Sequence, residues 1–189
     1  MGQRRLGARH RPHRPRRQRP RRLPQAPERR AVSDAQSPAA RLVALGLTLP
    51  PVAAPVASYV PALRDGDLVL TSGQLPFVDG RLAVTGKVGT GEGLVDPETA
   101  QRLAATCALN AIAAAASVLG SVDDIARVVK VTGFVASDPS FTGQPGVVNG
   151  ASDLLGEVFG GRHARSAVGV AVLPLDSPVE VEIVVRVRS

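Results

Sequence analysis

Asp96-Pro97-Glu98-Thr99-Ala100-Gln101-Arg102-Leu103-Ala104-Ala105-Thr106-Cys107-Ala108-Leu109-Asn110-Ala111-Ile112 is the stretch whose reading decides the fold. It opens as a helix should. Asp96 is a cap, Pro97 suits the first helical position, and Glu98 is favoured by the positive end of the helix dipole. Ala100, Leu103, Ala104, Cys107, Ala108, Ala111, Ile112, Ala115 and Leu119 recur at three-to-four spacing on one face, and Gly120 supplies the stop. That face is mostly alanine, so the helix can lie close against a sheet.

Strand signals flank this helix on both sides. Upstream, 59–63 reads as a short strand and Arg64-Asp65-Gly66-Asp67 as a turn. Residues 68–72 are a β-rich run followed by Gly73-Gln74. Phe77-Val78, Asp79-Gly80 and Arg81-Leu82 make a hairpin, because Asp-Gly tolerates the positive φ angles of a tight turn. Residues 83–95 are glycine-rich and read as a loop. Downstream, Asp123 to Arg127 is a turn or short helix, and 128–136 is a valine-rich buried strand. A second amphipathic helix covers 149–159, with Leu154, Leu155, Val158 and Phe159 inward and Gly160-Gly161 closing it. Two strands, 166–173 and 179–187, finish the chain.

The order β-β-(β)-α-β-α-β-β predicts an α+β fold, a mixed sheet with two helices packed on one face. In the last strand Val181, Ile183, Val185 and Val187 share one side; Glu180, Glu182, Val184, Arg186 and Arg188 share the other. If the helices cover one face only, the apolar remainder of the other points to self-association.

Charge divides the 189 residues sharply. Residues 1–30 hold twelve arginines and five prolines against one acid, Glu28. The rest carries 11 basic and 15 acidic side chains, a net of −4 within a whole-chain charge of +7. The basic segment, taken as residues 1–31, is expected to be disordered. Three readings of it stand open: a weakly sequence-specific nucleic-acid arm, an export signal, or an over-extended gene start with the native chain beginning near Val32. Residues 32–189 are then one domain, opened by a short helix from Ser37-Pro38 to a stop at Gly46. No run of about 18 apolar residues is present, so no spanning helix is expected and the chain is read as cytoplasmic. The single cysteine, Cys107, excludes an internal disulfide framework, and it reads as a small packed hydrophobe. His10, His13 and His163 are too few and too scattered for a histidine-rich metal site.

The sequence has no nucleophile elbow, P-loop or dinucleotide fingerprint. Gly86-Lys87-Val88-Gly89-Thr90-Gly91-Glu92-Gly93 lacks the spacing that cradles phosphates. Arg165 opens a strand, where its planar fork can take a carboxylate. Glu180 and Glu182 lie in an apolar strand, which raises a carboxyl pKa toward general acid or base use. On spacing alone, all three read more readily as ordinary surface charges or a weak cross-strand pair.

Five motifs in order carry a resemblance: Tyr59; Thr71-Ser72-Gly73-Gln74-Leu75-Pro76; Val128-Val129-Lys130-Val131-Thr132-Gly133-Phe134-Val135; Ala164-Arg165-Ser166-Ala167-Val168; and Leu173-Pro174 with Val179-Glu180-Val181-Glu182. Over roughly residues 50–188 the chain resembles the RidA/YjgF family. The resemblance implies a chorismate-mutase-like α+β fold and a homotrimer with ligand sites between subunits. It implies hydrolysis of reactive enamines and imines, of the 2-aminoacrylate and 2-iminopropionate type, to 2-oxo acids and ammonia, with no metal or organic cofactor. Arg165 would hold the substrate carboxylate and Glu180 would activate the water. Tyr59 would line the cleft from a neighbouring subunit, Ser72 and Gly73 would shape the wall, and Asn149 would match a family asparagine. Two rivals accompany that reading: a carboxylate-binding or regulatory member without catalysis, and an RNA-directed endoribonuclease or translation inhibitor. The acidic body argues against the second unless the tail binds RNA.

The chain departs from the family at three points. His163 stands where many members have proline, Ala167 where some have cysteine, and Gly169 where many have glutamate. His163 is then either an exposed loop residue or a second polar group at the cleft mouth.

Overall fold

A computed structural model describes residues 36–52 and 58–189. The expectations for residues 1–31 lie outside the described residues. Among the described residues, three helices and seven strands follow the order α1 (Pro38–Ala44), β1 (Ala62–Asp65), β2 (Leu68–Thr71), β3 (Phe77–Val78), β4 (Arg81–Leu82), α2 (Pro97–Ser117), β5 (Ile125–Ala136), α3 (Gln144–Phe159), β6 (Ala164–Val170) and β7 (Val179–Val187). Single 3-10 turns precede β5 and β7.

Five strands form one mixed sheet in the order β1-β2-β7-β5-β6. Only β5 and β6 run parallel, because α3 carries the chain back between them. The short β3-β4 hairpin stands apart, and its turn residues Asp79 and Gly80 both have positive φ, as Asp-Gly predicts. The cap of α2 also forms as read: Asp96 accepts from the Thr99 amide at 2.9 Å. At α1, Ser37 caps and Gly46 ends the turn with φ +69°.

Helices α2 and α3 pack on each other and on the sheet, while α1 packs on α3. Beneath them lie Val131 and Val135 of β5 and Val179, Val181, Ile183 and Val185 of β7, all buried. Two glycines set how closely these layers approach. A methyl group on Gly133 would meet the Val148 side chain at 2.5 Å, and one on Gly150 would meet the Gln101 carbonyl carbon at 2.8 Å. The second half of α2, Ala111 to Ala116, is buried all round rather than on one stripe.

The opposite sheet face has no helix over it among the described residues. Leu63, Leu70 and Val168 are exposed there, beside half-buried Phe134, Val184, Glu180 and Glu182.

Four expected boundaries move, the first of them at β5, which starts at Ile125 rather than Val128. The first strand is 62–65 rather than 59–63. The second long helix starts at Gln144, five residues before Asn149, because Gly143-Gln144-Pro145-Gly146 makes a first turn with no side-chain cap. The sixth strand is 164–170 rather than 166–173; Val172 and Leu175 project into solvent from the loop after it. The glycine-rich segment before α2 is a loop, but it is pinned. Val88 is fully buried, donates to Ala136 O at 2.7 Å and accepts from the Asp138 amide at 2.9 Å. No helix of the described residues is long and apolar enough to cross a membrane.

Candidate functional site

The sequence-predicted residues gather in two groups. The first lies at the β6 edge of the sheet. Arg165 pairs in register with buried Val131, so its side chain leaves on the helix-covered side. There α3 receives it. Nη1 donates to Asn149 Oδ1 at 2.7 Å and to Ser152 Oγ at 3.1 Å, and Nη2 donates to Pro145 O at 3.2 Å. Asn149 and Ser152 are three apart on the helix, so both face the same neighbour. A guanidinium has five N–H donors. Among the described residues, the Nε–H and one Nη2–H have no protein partner, which leaves two donors for a ligand. His163 completes the group, its Nε2 lying 3.0 Å from Ser152 Oγ. The ring, in the loop that leads into β6, is half-buried rather than exposed and stands beside the Arg165 cluster. Burial, and then the Arg165 charge, hold its pKa below the usual 6.5.

The second group lies where β2 passes β7. Leu70 pairs with Val184, yet Gln74 pairs with Val181, so β2 has gained one residue against its partner. The extra residue makes a bulge at Ser72-Gly73. The ladder bond lost there is replaced: Thr71 Oγ1 accepts from the Ile183 amide at 3.0 Å. Ser72 Oγ donates to Val60 O at 2.6 Å, and its amide donates to Pro61 O at 2.9 Å. These bonds tie the Tyr59 segment to the bulge. Tyr59 itself is exposed. Gly73 leaves the space that Glu180 occupies: a methyl group there would meet Glu180 Cδ at 2.6 Å. Beyond the bulge, Asn110 of α2 donates to Leu75 O and Phe77 O at 2.8 and 3.1 Å and fixes the chain.

Glu180 stands opposite Phe134 on the open sheet face. Burial first, then repulsion from Glu182, raise its pKa above 4.5. A carboxyl in that state takes and returns protons more readily near neutral pH than an exposed one does. Glu182 faces a shallow depression of about 200 Å³ with Lys130, Thr132 and Leu70. Cys107 is fully buried, donates to Val179 O at 3.7 Å, and has its thiol pKa pushed well up by burial and by the Glu180 charge. It is packing material, as its place on the helix suggested.

The two groups do not meet within one chain. Arg165 is on the helix side of the sheet edge and Glu180 on the open side two strands away. Ser152 is singled out by no sequence motif, although it stands three residues after Asn149 on the same helix. No group of three or more His, Cys, Asp or Glu side chains that could hold a metal ion forms among the described residues.

Residues 39–187 match the family model described as "YjgF/chorismate_mutase-like, putative endoribonuclease". Protein TCP17 of Trypanosoma cruzi is 44% identical over 154 residues, covering 80% of this chain and 94% of that protein. Among solved structures, protein Atu1372 of Agrobacterium tumefaciens, described as of unknown function, is 47% identical with a TM-score of 0.71; the match covers 78% of this chain and 91% of that one. TdcF of E. coli, solved with bound serine, is 25% identical with a TM-score of 0.52, over 73% of this chain and 94% of that one. The matched span takes in β1 to β7, the bulge and the Arg165 cluster, and on that evidence the chain belongs to the RidA/YjgF family.

Proposed function

We propose that the protein hydrolyses small 2-imino acids, and the enamines that tautomerise to them, to 2-oxo acids and ammonia. The observation that carries this reading is the Arg165 guanidinium, held by Asn149, Ser152 and Pro145 with two donors left over. A carboxylate accepts two hydrogen bonds from such a fork. The serine bound to the related TdcF is a ligand of that chemical class. In the reaction, water adds to the imine carbon and gives its proton to Glu180. Glu180 passes that proton to the imine nitrogen, giving a carbinolamine; its hydroxyl proton then moves through Glu180 to the amino group, the C–N bond breaks, ammonia leaves and the carbonyl of the 2-oxo acid forms. The imine is already electrophilic, so positioning and one proton acceptor suffice.

The working unit in this proposal is a homotrimer. Its support is the open sheet face, where exposed Leu63, Leu70 and Val168 surround a carboxyl of raised pKa. A neighbouring copy laid on that face supplies the part of the cleft that one chain lacks. Tyr59 lines the cleft from such a neighbour.

Ammonia release from 2-aminoacrylate generated in situ tests the reading, with Arg165→Ala and Glu180→Gln beside the parent. Acceleration that both substitutions remove supports it. A folded parent that releases ammonia no faster than buffer sinks it. The second reading is a carboxylate-binding regulator. One feature favours it: the Arg165 grip is complete within a single chain, whereas Glu180 lies apart. Binding of 2-oxo acids without turnover is its signature.

A further inference from the structure

We propose that Ser152 and His163 are positioning residues that fix the Arg165 guanidinium for its carboxylate ligand, through a directed chain of hydrogen bonds ending on His163 Nε2. The inference rests on the carboxylate-binding reading above and adds the device that orients the grip.

The direction follows from counting protons. Arg165 has no acceptor atom, so Nη1 donates to Ser152 Oγ. The hydroxyl then needs an acceptor for its own proton. His163 Nε2, at 3.0 Å, is that acceptor, provided the ring is neutral and carries its proton on Nδ1. The order is Arg165 N–H to Ser152 O–H to His163 Nε2. Without the imidazole the hydroxyl is free to rotate, and its lone pair is no longer held toward Arg165.

The backbone builds this arrangement. Gly160 and Gly161, both with positive φ, end α3 and turn the chain back on the helix. His163 thereby returns beside Ser152, eleven residues earlier in the chain. Charge favours the neutral ring. The α3 side chains in the cluster, Asn149 and Ser152, are uncharged; Arg165 is the charged group acting on the ring, and Asp153 and Glu157 of α3 are exposed. A protonated imidazole would set a second cation beside Arg165 and would donate to Ser152 instead of accepting.

The test uses the full chain and two readouts. The first is nitrogen-15 NMR of the imidazole, with the His163 signal identified by its loss in His163→Gln. The neutral Nδ1–H tautomer is expected, and Arg165→Ala should raise the His163 pKa. This readout needs no ligand. The second is binding of pyruvate by calorimetry. His163→Ala and Ser152→Ala should weaken it about five- to tenfold, the loss of one hydrogen-bond link. His163→Gln, whose amide oxygen can accept near the Nε2 position, should stay within about twofold of the parent. In turnover, the loss should fall on KM rather than kcat.

An Nε2–H tautomer, or a His163 pKa indifferent to Arg165→Ala, overturns the inference whatever the ligand does. So does unchanged binding in His163→Ala when Arg165→Ala abolishes it, and in that case the carboxylate reading survives. Equal binding in the parent and Arg165→Ala instead refutes the carboxylate reading itself.

Discussion

Two glycines of α3 invite the same substitution and should answer in opposite directions. Gly150 lies where α3 crosses α2, and an added methyl would overlap the Gln101 carbonyl, its carbon at 2.8 Å. Ordinary carbon–carbon contact is about 3.5–4.0 Å, so the helices must part by about 1 Å. The obstacle is backbone, which cannot rotate away as a side chain would. Overpacking of this kind costs about 1–3 kcal/mol, and a backbone clash belongs near the top of that range. Against it stands the gain from replacing glycine by alanine inside a helix, about 1 kcal/mol. Gly150→Ala should therefore lose about 2 kcal/mol net. Gly156 has no atom within 4 Å of an added methyl, so Gly156→Ala keeps the helix gain and should be stabilised by about 0.5–1 kcal/mol. Urea unfolding at one fixed protein concentration measures both. With a slope of about 2 kcal/mol per molar, the two midpoints should differ by more than about 1 M. A Gly150→Ala midpoint equal to or above that of Gly156→Ala would refute the close α2–α3 approach.

Three further outcomes follow from the same geometry. Gly73→Ala should displace the Glu180 carboxyl and reduce kcat far more than it reduces pyruvate affinity, because Arg165 lies elsewhere. For Glu180 the folded-state pKa lies above 4.5, so the native state holds the proton longer than the unfolded chain, and stability falls as pH rises through the window above 4.5. Glu180→Gln should remove that fall, leaving a flatter stability–pH curve above pH 4.5, measured by unfolding at several pH values. The Arg186–Asp67 ion pair joins two exposed side chains, so Asp67→Asn should shift the unfolding midpoint by no more than the roughly 0–1 kcal/mol of surface pairs.

What the sequence disclosed depended on how local the signal was. The α2 start needs only Asp96, Pro97 and Glu98, and the β3-β4 turn only Asp79-Gly80; both formed as read. The first turn of α3 was hidden because Gly143-Gln144-Pro145-Gly146 has turn composition, and packing of Val147 and Val148 on the sheet overrides it. Strand β6 was misplaced because it lies at the sheet edge and shows no alternation of buried and exposed residues. The site divided similarly. Arg165 and Glu180 stand out by their strand positions but take their roles from resemblance, since spacing alone allows ordinary surface charges, and Asn149 rests on resemblance entirely. The bulge that seats Glu180 depends on a register offset between strands more than 100 residues apart, which no local pattern encodes.

The separation of Arg165 from Glu180 has a consequence for the proposed reaction. Arg165 is level with Val131 and Glu180 with Phe134, with β5 lying between their strands. Two strand spacings and three residues of rise put their backbones about 14 Å apart, with side chains on opposite faces. A three-carbon imino acid cannot engage both from one chain. If both act on it, Arg165 of one copy must meet Glu180 of another. Mixed oligomers decide this. Equal amounts of Arg165→Ala and Glu180→Gln chains, unfolded together and refolded, should form intact sites wherever a Glu180→Gln copy supplies the arginine and an Arg165→Ala copy the glutamate. Random assembly of a closed ring makes that about a quarter of all sites. Each variant refolded alone should stay inactive. Recovery of about a quarter of parental ammonia release establishes a shared site. No recovery, with mixing confirmed by mass, means that the two residues do not act across copies, and the carboxylate-binding reading without hydrolysis becomes the better account.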